Sequence, residues 1–239
     1  MDRQALVCRN ILEKPDITQR EMAKNMDISL GTVNGLVKEC LAEGYIAEKE
    51  NGKEKHLILL EKGKELLKPY KVDGALIIAA GFGSRFVPLT FETPKGLLEV
   101  FGERMIERQI KQLHEVGIYD ITIAVGYLKE KFEYLIDKFD VKLLYNPEYS
   151  CKNTLATVYR ARKFLKGRNV YILSSDNWMR ENMYHSYECG AWYSAAHEEG
   201  ETKEWCLTFN KKGRISDVNV GGKDAWFMYG PVYLSREFS

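Results

Sequence analysis

The pattern of apolar and polar positions divides this chain in two. Up to about residue 70 the apolar residues recur at helical spacing. Thr18 followed by Glu21 is a capping-box pattern that starts a helix running to about Asn25. Ser29 can cap the next helix, whose apolar positions Val33, Leu36, Val37, Cys40 and Leu41 repeat at i, i+3 and i+4, and Gly44 ends it. Tyr45 to Glu48, the turn Glu50-Asn51-Gly52-Lys53, and His56 to Leu60 read as a hairpin, because Asn-Gly favours a tight two-residue connection. Glu61 to Lys68 reads as a last helix. Lys68-Pro69-Tyr70-Lys71 marks a boundary, giving domains at 1–70 and 72–239. From Val72 the period alternates. Strands are predicted at 74–79, 120–125, 141–145 and 170–174, and helices at about 104–116, 129–138 and 153–164. Such alternation implies an α/β fold with a mostly parallel sheet and helices on both faces. Segments 190–197, 204–210, 214–220 and 225–230 then read as strands.

The order helix-turn-helix, then hairpin wing, resembles the winged-helix domains of bacterial transcription regulators over the first 70 residues. Charge complicates what that implies. Residues 1–70 carry 12 Lys/Arg and 12 Asp/Glu, and the presumed recognition helix, Ser29 to Glu43, has one lysine, Lys38. Phosphate contacts supply much of DNA affinity. Ser29, Thr32 and Asn34 on the helix and Lys53 and Lys55 on the wing are the residues that could touch DNA. Two readings stay open: DNA binding, and a dimerisation or regulatory module.

Composition excludes several classes. The whole chain has 35 Lys/Arg against 34 Asp/Glu, which argues against a protein built to coat nucleic acid. The five cysteines are scattered with no C-x-x-C pair, which fits free thiols in a reducing cytosol and leaves no zinc or disulfide frame. No apolar run approaches the ~18 residues of a membrane span, so no membrane partner and a cytoplasmic location are expected. His56, His114, His185 and His197 lack ligand spacing.

The chemistry concentrates after the apolar run Ala75-Leu76-Ile77-Ile78. There the chain reads Ala79-Ala80-Gly81-Phe82-Gly83-Ser84-Arg85-Phe86-Val87-Pro88-Leu89-Thr90, closed by Thr93-Pro94-Lys95. Glycines leaving a strand let backbone N–H groups approach phosphates, and Arg85 and Lys95 add positive charge. The spacing is not that of a P-loop, and the third glycine of a dinucleotide fingerprint is missing. Asp176 ends the apolar strand Val170-Tyr171-Ile172-Leu173, where ligands of open α/β sheets sit. It can hold Mg²⁺, a cation that prefers oxygen and bridges phosphates, or simply cap a helix.

The loop Gly81 to Lys95 resembles that of sugar-phosphate nucleotidyltransferases. With Val125-Gly126-Tyr127, Asn146 to Tyr159, Asp176-Asn177 and Glu204-Trp205, residues 72–239 look most like bacterial CTP:phosphocholine cytidylyltransferases within that superfamily. The resemblance implies a Rossmann-like nucleotidyltransferase sheet and Mg²⁺-dependent transfer of a cytidylyl group from CTP to phosphocholine. It implies that the backbone of Ala80, Gly81, Phe82, Gly83 and Ser84 holds the triphosphate, that Arg85 and Lys95 are catalytic, and that Asp176 binds the metal. Asn146 and Asn153 would meet the base, Tyr127 would line the pocket, and Trp205 would wall the quaternary ammonium of the acceptor. The other late aromatics, Trp192, Tyr193, Trp226 and Tyr229, read as core. The alternatives are a sugar-1-phosphate nucleotidyltransferase using UTP or dTTP, and a DNA-binding regulator whose second domain senses nucleotides. Retention of Arg85, Lys95 and Asp176 together favours an enzyme. A second metal carboxylate is not assignable. The chain is expected to be the front portion of a longer protein, with the closing elements of the catalytic fold missing, and to form a homodimer.

Overall fold

A computed structural model describes residues 2–51, 54–211 and 213–238. The chain forms two compact units. One comprises Met1–Lys71 with Tyr187–Gly190, the other Val72–Ser186 with Ala191–Ser239.

The first unit is a winged helix. Helix α1 (Arg3–Glu13) is capped by Asp2, whose Oδ1 accepts from the amides of Gln4 and Ala5 at 3.0 and 3.1 Å. Helix α2 (Gln19–Asn25) begins with the Thr18/Glu21 capping box, and α3 (Leu30–Ala42) with Ser29 accepting from Thr32 N. Gly44 then takes φ 71°. Its N–H donates to Leu41 O at 3.1 Å and that of Tyr45 to Cys40 O at 2.9 Å, a Schellman closure that glycine's left-handed freedom permits. Strands β1 (Ile46–Asn51) and β2 (Glu54–Leu59) pair antiparallel, Ile46 facing Leu59. The expected turn residues Gly52 and Lys53 lie outside the described residues. Helix α4 (Glu61–Leu67) closes the unit. Val7, Cys8, Ile11, Met22, Val33, Val37, Cys40, Ile46 and Leu67 form its core.

Tyr187–Gly190 joins this unit too, far from it in sequence. Cys189 is buried in the same core, Arg9 reaches Glu188 at 2.8 Å, and Glu188 N donates to Tyr70 O at 2.9 Å. The boundary read at Lys68–Lys71 captures one crossing; the chain makes a second excursion that four residues are too few to announce.

The second unit is built on strands β3 (Gly74–Ala79), β4 (Glu99–Val100), β5 (Glu103–Arg104), β6 (Ile121–Val125), β7 (Lys142–Tyr145), β8 (Val170–Ser174), β9 (Trp192–Phe209) and β10 (Ile215–Leu234). Its helices are α5 (Met105–Glu115), α6 (Tyr134–Phe139), α7 (Thr154–Arg160) and α8 (Arg162–Leu165). The six-stranded sheet runs β7-β6-β3-β8-β10-β9; β7, β6, β3 and β8 are parallel, and β10 and β9 are antiparallel additions. Alternate residues of β3 and β8 feed opposite faces. Ala75, Ile77, Tyr171 and Leu173 pack with Ile106, Ile110 and Leu113 of α5. Leu76, Val170 and Ile172 pack with Ala161 and Leu165. Burial on both faces explains why these strands read as unbroken apolar runs.

Three expectations are corrected. The single helices expected at 129–138 and 153–164 are each split: a 3-10 turn at Lys129–Phe132 precedes α6, and α7 and α8 are separate. The four late strands are two long ones, β9 and β10, whose register shifts repeatedly between Ile215 and Val232. Bulges break the alternation that marks a strand in sequence. The small β4–β5 hairpin, turning at Phe101-Gly102 with φ 53° and 77°, was not foreseen.

Candidate functional site

Two parallel strands, β3 and β8, deliver the site. They are hydrogen-bonded neighbours, with Ile78 beside Ser174, and both end at the same edge of the sheet. Ser175 N donates to Ile78 O at 3.0 Å, which extends the pairing one residue further. Past that point the chains diverge: β3 enters the glycine-rich loop and β8 reaches Asp176.

The loop is held by short-range geometry. Gly83 takes φ 71°, and a Cβ there would stand 3.2 Å from both Lys95 Cβ and Thr90 Cγ2. Buried Thr90 donates to Gly83 O at 3.1 Å, and Phe86 N donates to the same carbonyl at 2.9 Å. Single 3-10 turns at Ser84–Phe86 and Lys95–Leu97 carry the two cations. Gly96 lies directly on the β8 end. A Cβ on it would fall 2.6 Å from the Cβ and Oγ of Ser175. That close approach brings Lys95 to Asp176: the two side chains form an ion pair, and Lys95 Nζ also stands 4.4 Å from the centre of the Phe86 ring.

A cavity of about 340 Å³ opens here, lined by Gly81, Gly83, Ser84, Arg85, Lys95 and Asp176, with Ser175, Gly96 and Thr154. Arg85 is exposed and, among the described residues, makes no ion pair, so its charge is available to a ligand. No helix follows Asp176 before β9, so its carboxylate caps none. Among the described residues no group of three or more His, Cys, Asp or Glu side chains is arranged as a metal cage.

A second cavity of about 880 Å³ shares Arg85, Phe86, Lys95, Ser174 and Asp176 with the first. Tyr193, Phe227 and Tyr229 of β9 and β10 wall it, and Glu99, Glu198 and Glu204 add carboxylates. Burial raises the Tyr193 phenol above its ordinary value and so keeps it neutral.

Six residues expected at the site line neither cavity. Ala80 is 3% exposed, and its carbonyl accepts from Tyr127 N at 3.1 Å. Phe82 stacks edge-on against Tyr127, with ring centres 4.7 Å apart, and Tyr127 donates its hydroxyl to Phe91 O at 3.0 Å. These contacts brace the loop from behind. Asn146 is fully buried: its Nδ2 donates to Thr157 Oγ1 at 2.9 Å and its Oδ1 accepts from Glu148 N at 3.0 Å, so neither end of the amide faces a base. Asn153 caps α7 through Leu155 N, and its neighbour Thr154 reaches the cavity instead. Trp205 is 57% exposed and pairs across the ribbon with Val220. Glu204, one residue earlier, lines the larger cavity, at a bulge where the register shifts between Trp205–Val220 and Thr202–Gly222. Tyr193 and Tyr229, read as core, are walls. The bulge removes the alternation that would have told Glu204 from Trp205 in the sequence.

The family model for nucleotidyl transferases matches residues 74–198, and one for winged helix-turn-helix DNA-binding matches residues 9–47. The chain is 37% identical over 156 residues to a choline-phosphate cytidylyltransferase of Streptococcus pneumoniae, covering 65% of this chain and 67% of that protein. It is 36% identical over 163 residues to a 2-aminoethylphosphonate cytidylyltransferase of Lancefieldella rimae, covering 67% and 66%. The chain thus spans about two thirds of the length of these curated relatives. Among solved structures, the CTP:phosphocholine cytidylyltransferase from Streptococcus pneumoniae superposes with a TM-score of 0.64 at 36% identity, covering 69% of this chain and 71% of that one. The inositol-1-phosphate CTP transferase from T. maritima, at 14% identity and a TM-score of 0.53 over 70% and 72% of the chains, shares the fold alone.

Proposed function

The chain belongs to the nucleotidyl transferase family, and from this premise we propose that it transfers the cytidylyl group of CTP to phosphocholine. A phosphate oxygen of phosphocholine attacks the α-phosphorus of CTP. The bond from that phosphorus to the bridging oxygen of the β-phosphate breaks, pyrophosphate leaves, and CDP-choline forms. Negative charge grows on the leaving group, and fixed cations beside it lower the barrier. Arg85 and Lys95 supply those charges, and the backbone of Gly81, Gly83 and Ser84 cradles the phosphates.

Mg²⁺ belongs to the same proposal. The ion takes one or two carboxylates and completes its shell with substrate phosphates and water. A single carboxylate, Asp176, on the wall of the smaller cavity beside Lys95 fits that habit. When bound, Mg²⁺ neutralises charge on the triphosphate.

The observation that carries the acceptor is the wall of Tyr193, Phe227 and Tyr229 beside Glu198 and Glu204. Aromatic faces and carboxylates suit a quaternary ammonium, whereas a sugar-1-phosphate calls for groups that read hydroxyls. The test is pyrophosphate release with Mg²⁺, comparing CTP with UTP and dTTP, and phosphocholine with 2-aminoethylphosphonate and glucose-1-phosphate. CTP with phosphocholine is expected to be fastest. Preference for UTP or dTTP with glucose-1-phosphate would refute the acceptor and the base. Preference for 2-aminoethylphosphonate would refute the acceptor alone.

For the first unit we propose DNA as the partner. Exposed Asn34 and Lys38 on α3 support this reading, and the balanced charge limits the number of phosphate contacts. A mobility-shift series is expected to show weak binding with a shallow salt dependence; no binding at low salt refutes it.

A further inference from the structure

Asp176 stands on a turn just past the last hydrogen bond of the sheet, Ser175 N to Ile78 O. β8 ends at Ser174, and no regular element follows until β9. A row of side-chain donors from α5 holds this segment. Gln109 is 1% exposed, and its Nε2 donates to Ser174 O at 2.9 Å and to Asn177 O at 2.5 Å. Those carbonyls lie two residues before and one residue after Asp176. A side-chain amide has two N–H donors, and both go to this turn, which Asn177 N closes by donating to Ser174 O at 3.2 Å. Further along, Arg108 Nε and Gln112 Nε2 donate to Met179 O at 2.6 and 3.2 Å.

Gln109 carries a cost. Its Oε1 is buried and has no partner among the described residues. An apolar side chain of the same length would fill the space without that unsatisfied acceptor. The amide is therefore explained by what its donors hold.

We propose that Gln109 is a positioning residue for the reaction: it pins the carbonyls on either side of Asp176 and so sets where that carboxylate meets the divalent metal. This rests on the reading of Asp176 as the metal carboxylate. Lys95, brought in from the other side over Gly96, cannot do the same, because it contacts the carboxylate itself and not the backbone beneath it.

The experiment measures Mn²⁺ affinity by electron paramagnetic resonance in the presence of CTP and without acceptor. It uses the full chain as wild type, Gln109→Met, Gln109→Asn and Asp176→Ala, with steady-state turnover alongside and circular dichroism as the check on folding. Met keeps the volume and loses both donors; Asn keeps the amide but falls one methylene short of the turn. Loss of a group that orients a metal ligand costs about 10–100-fold in affinity or activity. Both Gln109 variants are expected to weaken Mn²⁺ binding and lower kcat within that range, with KM for phosphocholine unchanged. A folded Gln109→Met or Gln109→Asn protein with wild-type Mn²⁺ affinity, beside an impaired Asp176→Ala, overturns the inference alone. Wild-type Mn²⁺ affinity in Asp176→Ala overturns the metal reading and the inference with it.

Discussion

Gly96→Ala is the sharpest test of how the site is assembled. The added Cβ would stand 2.6 Å from Ser175 Cβ and Oγ and 3.1 Å from Ser175 O. Carbon atoms settle at 3.5–4.0 Å, so the two segments must part by about 1 Å. Rotation of a side chain gives no relief, because the Cβ and carbonyl of Ser175 move only with its backbone. Overpacking of this kind costs about 1–3 kcal/mol. At roughly 2–4 °C per kcal/mol for a chain of this size, the melting temperature should fall by about 2–12 °C. Catalysis should suffer more. The segments that part carry Lys95 and Asp176, and a misplacement of about 1 Å can cost on the order of 100-fold in rate. The assay is pyrophosphate release at saturating CTP and acceptor, with thermal unfolding measured on the same sample. A variant that melts lower but turns over like wild type would refute the claim that contact over Gly96 sets the catalytic pair. A variant unchanged in both would refute the packing itself.

Three further outcomes are expected. Glu204→Gln removes a carboxylate from the larger cavity and should raise KM for phosphocholine several-fold while leaving KM for CTP alone; equal changes in both would exclude Glu204 from the acceptor wall. Asn146→Ala removes the partner of buried Thr157 Oγ1 and of half-buried Glu148 N, so unfolding in urea should show a loss of about 1–3 kcal/mol; a stability loss near zero would mean the buried amide supports nothing. Asp120 supplies the pH test. Burial opposes its charge, but hydrogen bonds from Lys142 and Arg168 outweigh this and hold the carboxyl below its ordinary value of 3.8. The folded state then binds fewer protons than the unfolded one. The resulting stability is complete above about pH 4 and is lost as pH falls through the lowered folded value. Asp120→Asn should flatten the fall of melting temperature below about pH 4; an unchanged acid limb would refute the assignment.

Residues with one local job were legible in the sequence. Thr18 and Glu21 cap α2, Ser29 caps α3 and Gly44 ends it, because capping joins groups a few residues apart. The runs at 75–78 and 170–173 are strands because both of their faces are buried. The glycine-rich loop with Arg85 and Lys95, and Asp176 at the end of its strand, were legible for a related reason. Their distance from a strand end is a matter of chain position, and neighbouring parallel strands bring such ends together.

Tertiary structure decided everything that depends on which way a side chain turns. Asn146 and Trp205 have suitable chemistry, yet one faces the interior and the other is exposed and lines neither cavity. Thr154 beside Asn153 and Glu204 beside Trp205 reach the cavities instead. The bulges of β9 and β10 hid two long strands, because each shift resets the two-residue period by which sequence reveals a face. Gln109 looked like any polar position on a helix; only the packing of α5 against the end of β8 shows two donors committed to one turn. The sequence by itself determined which elements form and what chemistry stands at their ends. The close approach at Gly96 and the direction of each side chain came from long-range packing, which no local pattern encodes.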